Sequence, residues 1–172
     1  MMVALGVIIL YMGSLIEVLD ISMAAIASLL CIIAVIEYGR GYAWMVFGAT
    51  ALLAMLVLPE KFTPSLYAML IGYYPILKEL IERIGKKSVF NQMGFEVLRW
   101  TIKIIFFNCA LVAFALVAVY LLNLPESENW MKITMLLLAN ATFVIYDIAL
   151  TRLISTYLFR IRGRLRLPGS DR

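Results

Sequence analysis

GKKSVFNQMGFEVLRWTIKIIFFNCALVAFALVAVYLLNLPESE, residues 85–128, holds the logic of the whole chain in one pass. It opens on Lys86 and Lys87, has no charged residue between Lys103 and Glu126, and closes on Glu126 and Glu128. The apolar run predicts a helix over 92–122, longer than the roughly 20 residues that cross a bilayer. Its first turns are therefore expected to protrude or lie at the interface. Basic residues before it and acidic residues after it place its start on the cytoplasmic side.

The same pattern repeats along the chain. Of 172 residues, 64% are hydrophobic and only 15% charged, with a mean hydropathy of +0.96. A soluble chain of this length leaves too much of its surface in water to hide that apolar content, whereas lipid tolerates it. Six apolar helices are predicted, over 1–19, 21–37, 42–58, 65–84, 92–122 and 130–160. Gly39 and Gly41 mark one turn, and Pro59 to Pro64 form a loop, because each proline disfavours helix in the residue before it. Pro75 predicts a kink inside the fourth helix. The first run lacks the basic start and small-residue cleavage site of a signal peptide and reads as a membrane helix. Its abrupt beginning suggests a true start upstream of Met1.

Charge distribution then sets orientation. Arg40, Lys78, Arg83, Lys86, Lys87, Arg99, Lys103 and the tail's Arg160, Arg162, Arg164, Arg166 and Arg172 fall on one side. Lys61 and Lys132 alone fall on the other, with Arg152 inside the sixth helix. The expected fold is an all-α integral membrane protein, one six-helix bundle over 1–172 in a membrane of the cytoplasmic (inner) type, both termini cytoplasmic and residues 160–172 a basic tail. Tail arginines directly after an apolar helix fit lipid headgroups better than nucleic acid.

Several chemistries drop out. The chain has no histidine, which removes the commonest proton shuttle, general base and transition-metal ligand. Cys31 and Cys109 lie inside apolar runs, where a thiol packs as a small hydrophobe. Gly85-Lys86-Lys87-Ser88 resembles the end of a phosphate-binding loop, but Leu80 stands where the earlier glycine belongs. Asn140-Ala141-Thr142 fits a glycosylation sequon, yet sits within a membrane helix. No enzyme and no cofactor or metal is expected.

What remains are binding and packing candidates. Asp147 and Arg152 lie within the sixth helix, where ionisable groups are costly and are functional hypotheses by default. Asn140, Asp147 and Thr151 share one helical face, and Arg152 points elsewhere. Arg99 and Lys103 of the fifth helix are the natural partners for Asp147. One deep acid without histidine is too little for a proton relay, which favours a structural ion pair. Lys78–Glu82 and Glu79–Arg83 are spaced i, i+4 and form either a docking surface or a solvated helix end. Ala24, Ala27, Ser28 and Cys31 suit close helix packing in lipid, with a partner subunit as the alternative. Glu60, Lys61, Asn123, Glu126 and Trp130, with Tyr67 and Asn140 deeper, combine charged, amide and aromatic groups on the outer half. That mixture suits a small polar ligand carrying a ring, or else loop solvation and an aromatic belt.

Leu58-Pro59-Glu60-Lys61, Gly72-Tyr73-Tyr74-Pro75 with Leu77-Lys78, and Tyr146-Asp147 with Leu150-Thr151-Arg152, set in six helices with an Arg-rich end, resemble the substrate-binding S component of energy-coupling-factor (ECF) transporters. The resemblance spans nearly the whole chain and includes no vitamin-specific motif. It implies capture of a vitamin-like nutrient at the extracellular half, with uptake powered by a membrane T component and two cytoplasmic ATPases. In that family an Ala-xxx-Ala patch in the first helix often serves docking. Here Ala4 is the only alanine of that helix, and its counterpart four residues earlier would precede Met1. The chain is also similar in build to the rod-shape-determining membrane subunit of cell-wall machinery, which implies a structural or assembly role instead.

Overall fold

The computed structural model describes residues 1–85, 92–121 and 129–157. Every regular element among them is helical. The chain divides into two units, Met1–Glu128 and Asn129–Arg172. Among the described residues, four helices are long and apolar enough to cross a membrane: Asp20–Tyr38, Arg40–Val57, Glu96–Tyr120 and Trp130–Thr156. The chain is a multi-pass membrane protein by that measure, and its exposed leucines, isoleucines and valines have lipid as their natural solvent.

In the first unit, α1 spans Met2–Leu15 and is followed by a 3-10 turn over Glu17–Leu19. The predicted first helix thus breaks four residues early. Ile16 leaves the helical region at φ −129° and ψ 88° as the sequence turns polar at Glu17 and Asp20. Helix α2 runs Asp20–Tyr38 and α3 runs Arg40–Val57. A single residue separates them, Gly39 at φ 88°, a left-handed conformation open to glycine at little cost. The turn is tighter than the sequence suggests, and α3 begins two residues before its expected start.

The fourth predicted helix is three pieces. Helix α4 covers Phe62–Leu66, a π-helical turn covers Tyr67–Ile71, and α5 covers Tyr74–Gly85. Pro64 belongs to α4's first turn, where a missing N–H breaks no helical bond, so the helix starts before the point at which two prolines predict a loop. Downstream, Pro75 deprives the Ile71 carbonyl of its usual donor. The chain widens just before that gap: Gly72 N–H donates to Tyr67 O at 2.7 Å, an i→i+5 bond. The expected kink is present, together with a π-turn that proline alone does not announce.

Helix α6 runs Gln92–Tyr120. The π-turn packs on α2 and α6, and α5 packs on α2 and α6 as well. Leu10, Ala24, Ala27, Leu58 and Tyr67 are among the buried residues of the main core. Ala24, Ala27 and Ser28 are thus buried inside the bundle, while Ala4 is exposed. In the second unit, α7 runs Asn129–Thr156 as one unbroken helix. Asn140, Thr142 and Thr151 each bond back to a carbonyl four residues earlier, which gives each of them a partner within the helix.

Candidate functional site

Charged side chains in the first unit fall toward its two ends. Helices α2 and α3 form an antiparallel pair about Gly39, so Asp20 and the segment after Val57 share one end and Arg40 marks the other.

At the Arg40 end, three helices are tied by charge. Arg40 Nε of α3 lies 3.3 Å from Glu79 Oε2 of α5. Glu82 Oε1 lies 3.5 Å from both Lys78 Nζ on its own helix and Lys103 Nζ on α6. Lys78 is 1% exposed and Lys103 6%. One carboxylate oxygen therefore faces two buried ammonium groups, an arrangement that holds α5 against α6 through attraction in a medium of low dielectric. Lys103 also stands 5.4 Å from the centre of the Trp100 ring, within cation–π range. Arg99 pairs with Glu96, three residues back on α6.

The Lys78–Glu82 pair foreseen from spacing is thus present. Glu79 is linked to Arg40 across helices, and the Arg83 side chain lies outside the described residues. Asp147 belongs to the second unit, where Phe143, Asp147 and Leu150 are buried and Arg152 is exposed. Within the first unit, Lys103 and Arg99 have Glu82 and Glu96, pairings that the sequence reading passed over.

At the opposite end, Asp20 is 4% exposed and accepts a 2.6 Å hydrogen bond at Oδ1 from Thr63 Oγ1. The bond joins the first residue of α2 to α4. Lys61 folds back over the C-terminal end of α3, and its ammonium donates to Met55 O at 2.7 Å and Leu58 O at 2.6 Å. A cation is favourable there, because the last carbonyls of a helix lack intrahelical donors and carry the negative end of its dipole. Ser65 Oγ donates to Lys61 O at 2.6 Å, which fixes the loop that carries Lys61.

Between the two ends, Tyr67 is fully buried at the start of the π-turn, with its hydroxyl 3.4 Å from Cys31 Sγ of α2. Its ring packs on Phe47, centroids 5.8 Å apart. Of the other ligand-binding candidates, Glu60 is partly exposed in the loop before α4. Trp130, 63% exposed, and Asn140 belong to the second unit. Asn123 and Glu126 lie outside the described residues. Asp20 and Thr63 were not among the candidates. The signal that could have found them is an acid at the edge of an apolar run.

Among the described residues, no group of three or more Cys, Asp or Glu could hold a metal ion. Compared with known protein families, curated proteins and solved structures, the chain matches none of them.

Proposed function

We propose that the chain is an S-component-like membrane subunit that captures a small, vitamin-like nutrient at its extracellular half and hands it to a separate ATPase-driven complex. In this reading six helices cross a bacterial cytoplasmic membrane and both termini face the cytoplasm. The observation that carries it is the unlike character of the two ends of the first unit. The Arg40 end is cross-braced by ion pairs between helices. The Asp20 end buries an acid and hydroxyls near a short loop, Leu58–Lys61. A braced cytoplasmic end and a polar outer end suit a subunit that binds from outside and docks from inside.

Topology is tested by cysteine labelling in intact cells, with the native cysteines replaced. Glu60→Cys should react with a membrane-impermeant maleimide, and Ser88→Cys should react only after permeabilisation. The reverse pattern inverts the model.

Ligand capture is tested on the purified full chain in nanodiscs with a panel of vitamins and no ATP. A saturable rise in the unfolding temperature with one of them is expected, since a ligand that binds only the folded state stabilises it by mass action. Uptake into liposomes should require the ATPase complex. Uptake by this chain alone, driven by an ion gradient, would replace the proposal with a secondary transporter. A protein that no ligand stabilises but that co-purifies with cell-wall assembly proteins would be the structural subunit.

A further inference from the structure

We propose that α5 is a hinged strap, closed in this structure over a small second core at the Arg40 end. It is released by pivoting at Gly72–Tyr73 when its ion pairs to α3 and α6 weaken. The device belongs to that end of the fold and stands apart from the capture role.

The pivot is set by the backbone. Gly72 and Tyr73 form a bend between the π-turn and α5. Pro75 offers no N–H to the Ile71 carbonyl, and the i→i+5 bond from Gly72 to Tyr67 O closes the turn just before it. A bend, rather than continuous helix, therefore joins α5 to what precedes it.

Packing divides at the same place. Before the bend, Leu66, Tyr67 and Leu70 belong to the main core. After it, Ile76 belongs to a second, smaller cluster with Cys31, Ala34, Ala43 and Val46. Phe47 packs against both clusters, and its ring centre lies 5.8 Å from that of Tyr67 and 6.2 Å from that of Tyr73. Lifting α5 at the bend parts one small cluster, with Phe47 as the surface it turns on, and leaves the main core packed.

The hold on α5 is largely charge. Glu79 pairs with Arg40 of α3, and Glu82 with Lys103 of α6. In the closed position Lys78 and Lys103 are almost wholly buried. Burying charge forfeits hydration comparable to the attraction it creates, so contacts of this kind close a structure without committing it. The closed state also leaves one polar atom short. Glu79 Oε2 is buried and accepts no hydrogen bond among the described residues, since Arg40 Nε faces it at 3.3 Å without hydrogen-bond alignment. Opening returns that oxygen to water. Arg40 and Glu79 are both partly exposed, so salt screens their attraction and biases the strap toward release.

Cys31 is a built-in reporter, fully buried in the cluster that α5 closes. The test follows its reaction with 4,4′-dithiodipyridine in the full chain in nanodiscs, with Cys109→Ala removing the exposed thiol. Main-core control chains carry Leu10→Cys, or Ala24→Cys should the first not fold, with both native cysteines replaced by alanine. Global unfolding exposes reporter and control alike, whereas release of α5 exposes Cys31 alone. Glu82→Gln should speed Cys31 labelling roughly tenfold and Glu79→Gln roughly threefold, with the control rising less than about twofold. Raising salt from about 0.05 M to about 0.5 M should act in the same direction. Pro75→Ala, which restores a donor at the hinge, should slow the reaction.

Labelling of Cys31 that tracks the control in every chain would overturn the strap, as it reports only whole-bundle opening. So would a Cys31 rate indifferent to both Gln variants and to salt, or a thiol that never reacts in the folded protein.

Discussion

Glu82→Gln is expected to lower the stability of the protein by about 2–3 kcal/mol. The reasoning is electrostatic. Glu82 Oε1 stands 3.5 Å from Lys78 Nζ and 3.5 Å from Lys103 Nζ, and both lysines are almost wholly buried. The neutral amide keeps the shape but withdraws the negative charge that both ammonium groups share. Removing one partner of a buried pair costs roughly 3–5 kcal/mol, and Glu82's own partial exposure reduces that figure. Guanidinium or SDS unfolding in detergent micelles measures the loss. Adding Lys103→Met should recover part of it, because the second substitution removes one of the repelling charges. A Gln variant as stable as its parent, within about 0.5 kcal/mol, would show that the network contributes nothing.

Gly72→Ala should be nearly as damaging, for steric reasons. A Cβ at Gly72 would lie 2.8 Å from Phe47 Cε2, from Tyr67 Cζ and from the backbone oxygen of Tyr67. The two rings can shift, but the carbonyl cannot move without disturbing the i→i+5 bond that it accepts from Gly72. Overpacking of this kind costs roughly 1–3 kcal/mol. A fall of several degrees in the unfolding temperature is expected. Phe47→Leu in the same chain should restore only part of it, since it relieves one ring contact and leaves the carbonyl. An unchanged unfolding temperature would mean that the π-turn relaxes to an ordinary helix at no cost.

The helical architecture was legible in the amino-acid order because its cause is local. Apolar runs long enough to span, prolines at 59 and 75, and glycine at 39 each act within a few residues. Lys78–Glu82 was legible for the same reason, being one helical turn apart. The links between helices were not. Arg40 with Glu79, Lys103 with Glu82, Asp20 with Thr63, and Cys31 with Tyr67 all depend on how each helix is rotated about its axis. The π-turn over Tyr67–Ile71 sets that rotation for α5 by adding a residue to one turn, and a periodicity of 3.6 cannot show it beforehand. Lys61 illustrates the point. Its charge on a short loop suggested a ligand contact, whereas its ammonium closes the end of α3.

The one-residue connection at Gly39 also governs how the chain is made. Helices α2 and α3 leave no slack between them, so neither can settle in the bilayer while the other waits in water. The two helices are therefore expected to settle in the bilayer as a pair, with Gly39 and Arg40 at the turn between them. An epitope, a protease site or a fused domain at that junction would separate the two helices, so such an insertion belongs in another loop.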